Sequence, residues 1–224
     1  MSQGILVEET TSDSEKLTDL TVFANKHTFE RCIVSTVAKV GEEARKALKD
    51  LDIPTLWLDS NTPLPIPTTF PPSMGADRIA AIVGAMLAKP HMPLLIIDAG
   101  TCVTYEFIDD EGNYLGGNIA PGLRLRMLSM HEHTALLPLV DVQGEVPLIG
   151  YDTDTAMRAG AVLGLKREIE GYIRDFQAIH PNLQVYMTGG DGFDFPEEIQ
   201  AIIEVDHHLV PKGLYGILEH NTSL

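Results

Sequence analysis

The sequence predicts an α/β protein built in two parts, residues 1–92 and 93–224. Three observations support this. Short β-branched runs alternate with helical segments along the chain. One run, Leu94-Leu95-Ile96-Ile97, is four consecutive apolar residues, the pattern of a strand buried on both faces. Just before it, Lys89-Pro90-His91-Met92-Pro93 breaks a helical pattern and marks a domain junction. A chain of 224 residues suits one large domain or two small ones, with ample material for a core.

Composition excludes several classes of function. The 32 acidic residues against 16 basic ones give a formal charge of −16, which repels a nucleic-acid backbone or an anionic membrane. A local basic pocket for an anionic substrate remains compatible with that charge. No apolar run approaches the ~20 residues of a membrane span. The start, MSQGILVEETTSDSEK, has neither a basic nor an apolar leader region, so a cytoplasmic protein is expected. Cys32 and Cys102 both sit in apolar, strand-like contexts and are read as buried free thiols.

Taken in order, Gly4 to Glu8 predicts a short strand and Thr10 to Asp19 a polar helix. Arg31 to Val37 is a β-branched strand, and Glu42 to Leu51 a helix with Ala44, Leu48 and Leu51 on one face. Thr55 to Leu58 is another short strand. Pro63, Pro65, Pro67, Pro71 and Pro72 keep Asn61 to Met74 extended, either to position a ligand or as a rigid linker. Gly75-Ala76-Asp77-Arg78 then opens a helix, Ile79 to Ala88. Asp77 there fits two roles. It caps the helix and answers its dipole, or it accepts a proton beside an anion-binding Arg78.

The stretch Asp98-Ala99-Gly100-Thr101-Cys102-Val103-Thr104 brings a carboxylate, a glycine and hydroxyls to the end of the buried strand. Gly100 can take positive φ and admit a ligand to the backbone. Nearby amides with the Thr101 and Thr104 hydroxyls can hold phosphate oxygens, and Asp98 a cation or its water. An ordinary hairpin bent by Gly-Thr fits the same pattern. Asp109 to Asn113 closes the next turn. Leu115 to Gly122, with Gly116 and Gly117, predicts a glycine-rich turn, either structural or open to a ligand, leading into a helix from Leu123 to His133. His131 and His133 flank Glu132 and cannot face one metal from one helix side, so they are not ligands. Gly150-Tyr151-Asp152-Thr153 begins a long helix to about Ile179. Its small residues, Ala156, Ala159 and Gly160, suggest close helix packing, within the chain or across a dimer. Val185 to Met187 runs as a strand into Thr188-Gly189-Gly190-Asp191, which could approach a nucleotide base or ribose. His207 to Pro211 predicts a last short strand, and Gly213 to Leu218 a terminal helix.

The order of Gly75-Ala76-Asp77-Arg78, Asp98-Ala99-Gly100-Thr101, Gly116-Gly117-Asn118-Ile119-Ala120-Pro121-Gly122 and Thr188-Gly189-Gly190-Asp191 resembles the actin-like ATPase and sugar-kinase superfamily. It is most similar to the type III pantothenate kinases, from about Arg31 onward. The resemblance implies two ribonuclease H-like lobes of mixed sheet flanked by helices. It also implies transfer of the ATP γ-phosphoryl group to pantothenate, the first step of coenzyme A biosynthesis. Asp77 would take the hydroxyl proton. Gly75, Ala76, Arg78 and Thr153 would contact pantothenate, Thr153 across a homodimer interface. Gly100, Thr101, Thr104, Gly116 and Gly117 would contact ATP. Asp98 would bind a monovalent cation, K⁺ or NH₄⁺, and Mg²⁺ would accompany ATP.

Two departures from the family pattern stand out. The family opens on a strand with Asp-x-Gly-Asn-Thr, whose Asp helps place Mg²⁺. No such motif stands here, and Met1 to Val7 resembles the strand that normally follows it. The family often has a substrate-contacting Tyr where this chain reads Thr68-Thr69-Phe70-Pro71. The alternative function implied is a degenerate, non-catalytic or regulatory paralogue of the same fold.

Overall fold

The structure is a computed structural model that describes residue 1 and residues 5–10, 20–37 and 40–222. Contacts divide the chain into two units, Met1–Ala88 with His208–Leu224, and Lys89–His207. Residues 208–224 therefore group with the first unit.

In the first unit, a short helix α1 (Leu20–Ala24) precedes strand β1 (Cys32–Val34). Strand β2 (Thr55–Trp57) pairs with β1 in parallel, Ile33 opposite Leu56. Parallel strands need a crossover, and helix α2 (Glu42–Asp50) supplies it, with Glu42 and Glu43 in its first turn and Lys49 in its last to answer its dipole. Helix α3 (Ala76–Ala88) starts three residues before the expected Ile79. Helix α7 (Leu209–Thr222) packs along it. The contact is close because Gly213 has no side chain; a Cβ there would strike the Ala80 carbonyl. Leu58, Ile79, Val83 and Ile217 form this unit's core, and Leu64, Ile66, Phe70 and Met74 of the proline-rich segment pack onto it. Asn221 donates to the Pro63 carbonyl at 2.8 Å and ties that segment down.

The second unit is a five-stranded sheet in the order β5-β4-β3-β6-β7. Strands β3 (Leu94–Ala99), β4 (Cys102–Ile108) and β5 (Tyr114–Pro121) form an antiparallel meander. Strands β6 (Gln184–Gly189) and β7 (Ile203–Val205) extend it in parallel. β3 is central, and Leu94 to Ile97 are almost wholly buried, as their unbroken apolar run requires. Helix α4 (Leu123–Glu132) follows the meander. The long helix α5 (Thr153–Ile179) lays Leu165, Ile169, Ile173 and Phe176 over Leu95, Ile97, Val103 and Tyr105. Each such apolar side chain taken out of water is worth ~1.5–3 kcal/mol. Asp152 caps α5 reciprocally with Thr155. A one-turn helix α6 (Glu197–Gln200) leads into β7.

Several expectations are corrected. Residues 115–121 are not a turn but most of β5. Its eight residues sit at a sheet edge, where cross-strand bonds to β4 overcome the weak strand preference of two glycines. Residues 207–211 are not a strand; α7 already starts at Leu209. Pro211 falls in the first turn of that helix, where a missing N–H costs nothing. The last strand is Ile203–Val205 instead. Cys32 is half-buried and Cys102 exposed, rather than both buried. Cys102 opens β4 beside the hairpin bend, where the strand has not yet entered the core. Gly160, expected in close packing, has open space around it within the chain. Of the predicted N-terminal strand, Ile5 forms only an isolated bridge and residues 6–8 have no regular structure. Of the predicted polar helix Thr10 to Asp19, Thr10 has no regular structure and residues 11–19 lie outside the described residues.

Candidate active site

The hairpin expected at Asp98–Thr104 is present, with Gly100 and Thr101 as the bend between β3 and β4. Asp98 pairs with Thr104 on one side and with Thr188 on the other. Cross-strand partners project to the same face of a sheet, so this face carries one carboxylate between two hydroxyls. Thr188 is buried, and Asp98 and Thr104 are half-buried. These hard oxygen donors suit a K⁺, NH₄⁺ or Mg²⁺ ion and its water. Thr101 is exposed at the tip. Gly100 is not at positive φ, which corrects the reason given for it above. Its value is space. A Cβ there would meet only Cys102 O at 3.8 Å and Asp98 Oδ1 at 3.9 Å within 4 Å.

Two further turns close on this bend. The Gly190 and Asp191 amides both donate to the Ala99 carbonyl, at 3.0 and 3.1 Å. Gly189 sits at φ +93°, and a side chain there would collide with the Ala99 backbone. From the other side the Gly122 amide donates to the Thr101 carbonyl at 3.0 Å. A Cβ on Gly122 would strike Gly100 O and lie 2.7 Å from Thr101 O. Asp191 also reaches the start of α4. Burial pushes its carboxyl up, and the Leu123 amide partly offsets this by donating to it. The sequence motifs contained Gly122, Gly189 and Asp191 but did not mark them as site residues. A glycine after a strand end, or just before a helix, was the available signal.

The other expected site residues are spread more widely. Gly116 and Gly117 lie within β5, opposite Phe107 and Glu106, four to five residues along β4 from Cys102. Thr153 is the exposed first residue of α5. In the first unit, Asp77 is the second residue of α3, half-buried, and its Oδ1 accepts the Arg78 amide at 2.8 Å. That bond leaves its second oxygen for other chemistry. Gly75 and Ala76 line a cleft of about 460 Å³ with Thr36, Val37, Asp59 and Ser60. Among the described residues no group of three or more His, Cys, Asp or Glu is arranged to hold a metal ion, and no helix is long and apolar enough to cross a membrane. His131 and His133 are exposed, and His131 Nδ1 lies 2.8 Å from the Leu137 carbonyl.

An antiparallel meander continued by two parallel strands, with a hydroxyl-bearing bend at the end of its central strand, is the ribonuclease H-like pattern of the actin-like ATPase class. The two parallel strands of the first unit are compatible with part of the same pattern.

Within that class the chain belongs to the type III pantothenate kinase family, whose family model matches residues 6–175. A type III pantothenate kinase of Bacteroides fragilis is 44% identical over 220 residues, covering 97% of this chain and 90% of that protein. One from Phocaeicola vulgatus is 41% identical over 224 residues, covering 99% and 93%. Among solved structures, a conserved Baf family protein from Campylobacter jejuni matches with a TM-score of 0.58 at 21% identity, over 92% of this chain and 89% of that one. That likeness supports the fold alone.

Proposed function

We propose that this protein phosphorylates pantothenate with ATP to give 4′-phosphopantothenate, the first step of coenzyme A biosynthesis. The observation that carries this reading is the bend at Gly100–Thr101, held open by two glycine turns beside Asp98, Thr104 and Thr188. Family membership supplies the substrates.

Phosphoryl transfer depends on alignment and charge neutralisation more than on covalent help. Thr101 and Thr104 hold ATP phosphate oxygens while the side-chain-free Gly100 lets the backbone approach them. Gly116 and Gly117 border the nucleotide as open backbone. Asp98 would hold a monovalent cation, and the ions accompanying ATP would supply neutralisation of phosphate charge. Gly75 and Ala76 line the acceptor cleft, Arg78 pairs with the pantothenate carboxylate, and Thr153 contacts pantothenate from a second copy of the chain. Asp77 accepts the proton of the attacking hydroxyl. The new O–P bond forms as the γ-phosphorus leaves the β–γ bridging oxygen, and ADP departs with that electron pair.

A homodimer is supported by exposed Leu136, Leu139, Leu148, Ile149 and Tyr151 just ahead of Thr153, a run of apolar surface that a second copy would cover. A cytoplasmic location follows from the substrates. The test measures ADP release with and without pantothenate, in potassium and in sodium, with mass determination in solution. Pantothenate-dependent turnover that needs potassium, from a dimer, is expected. Turnover independent of pantothenate overturns the acceptor, and absence of both turnover and nucleotide binding overturns the kinase reading.

A further inference from the structure

Arg126 and Glu168 are outside every motif considered so far, yet Arg126 reaches the strand end next to the bend. Arg126, on α4, donates through Nε to the Pro121 carbonyl at 2.7 Å and through Nη2 to Glu168 Oε2 at 2.6 Å. The other oxygen of Glu168, on α5, accepts the hydroxyl of Tyr105 at 2.8 Å. Tyr105 is fully buried in β4, and its ring lies 4.4 Å from that of Tyr172. Arg126 and Glu168 are themselves mostly buried, with side chains 21% and 28% exposed. Pro121 is the last residue of β5 and pairs with Cys102; the next amide, Gly122, holds the Thr101 carbonyl. One connected set of charge-assisted bonds therefore runs from the core helix to the bend.

We propose that Arg126 is a positioning residue for the nucleotide-phosphate bend, acting through the Pro121 carbonyl and locked in place by Glu168 and Tyr105. This rests on the reading that Gly100–Thr101 holds ATP phosphate. The guanidinium is suited to the task because its planar fork serves two acceptors in fixed geometry. A lysine keeps the charge and can reach one acceptor, but it cannot hold both in that geometry. Burial and the neighbouring Glu168 carboxylate push the Tyr105 phenol well above its usual range, so it stays a donor. The Pro121–Gly122 turn has no side chain of its own to fix it against Thr101. Without the guanidinium, its position rests on backbone alone: the Gly122 amide bond to Thr101 and the pairing of β5 with β4.

The test compares Arg126→Lys, Arg126→Ala and Glu168→Gln with the wild-type chain, using steady-state kinetics in both substrates, calorimetric titration with MgADP, and thermal unfolding. Misplacing a phosphate contact by a fraction of an ångström is expected to raise the KM for ATP and the Kd for MgADP about tenfold in Arg126→Lys. The KM for pantothenate should stay within twofold. Glu168→Gln, which keeps one acceptor oxygen but replaces the other with an NH₂ donor and removes the charge, should fall between wild type and Arg126→Ala. A purely structural role lowers the unfolding temperature while leaving the folded enzyme's KM for ATP unchanged, and that result in Arg126→Lys and Arg126→Ala overturns the proposal. If wild type binds MgADP and turns over while the variants bind it equally well, only the positioning role falls. If wild type binds no nucleotide, the phosphate reading falls and takes this inference with it.

Discussion

Two glycines at one bend should separate folding from binding. Gly122→Ala places a methyl group against Gly100 O, 2.7 Å from Thr101 O and 3.0 Å from Thr101 C, all backbone atoms. None is the flexible end of a side chain, so the bend or the start of α4 must shift. Overpacking of this kind costs about 1–3 kcal/mol. The Gly122-to-Thr101 bond of 3.0 Å is stretched or lost with it, adding about 1 kcal/mol. A total loss of about 2–4 kcal/mol is expected. Gly100→Ala differs. Its methyl meets nothing closer than 3.8 Å, and the residue is outside the left-handed region. Stability should therefore change by less than about 1 kcal/mol. On the proposed phosphate site the same methyl would stand in the path of the phosphate, so MgADP affinity should fall at least about tenfold, or 1.4 kcal/mol. Guanidinium unfolding gives the stabilities and calorimetric titration the affinities. Wild-type nucleotide affinity in Gly100→Ala would refute the phosphate cradle. A wild-type unfolding midpoint in Gly122→Ala would refute the close approach of the two turns.

Three further outcomes are expected. Asp77→Asn keeps the oxygen that accepts the Arg78 amide, so it should fold normally while kcat falls about 10²–10⁴-fold and nucleotide affinity stays within twofold; unchanged kcat in coupled ADP-release kinetics would remove Asp77 from the base role. Tyr186 is fully buried, and its hydroxyl makes no well-formed hydrogen bond among the described residues although the Glu204 carboxylate lies beside it, so Tyr186→Phe should change stability by no more than about 1 kcal/mol, and a larger loss in chemical unfolding would show that Glu204 accepts from it in solution. Asp191 has a raised carboxyl pKa in the fold, first through burial, so its favourable contribution is present at low pH and is lost as pH rises through the folded value. The unfolding temperature of Asp191→Asn should therefore gain on wild type as pH rises above about 4, the unfolded carboxyl range; a gap that does not change with pH contradicts burial of this carboxyl.

Much of the site could be read directly because its residues are contiguous. Asp98, Gly100, Thr101 and Thr104 follow an apolar run that can only be a central strand, and Asp77 and Arg78 sit at a helix start. The strand at 114–121 was harder, because glycines at a sheet edge look like turn residues when their pairing partner is unknown. The start of α7 was hidden for a similar reason. His207 to Pro211 has a strand-like composition, and only the packing of α3 against Gly213 shows that a helix has begun.

The sequence by itself determined the alternation of strands and helices, the buried central strand, the carboxylate and hydroxyls at its end, and the family. Those properties are local: period, chain punctuation and short motifs hold them within a few neighbouring residues. Tertiary structure decided which turns meet the bend. Ala99 and Thr101 are gripped by residues some 90 and 20 positions away, respectively, and Arg126 reaches Glu168 across 42 positions. No spacing rule encodes such contacts, because they depend on sheet register and on where one helix crosses another.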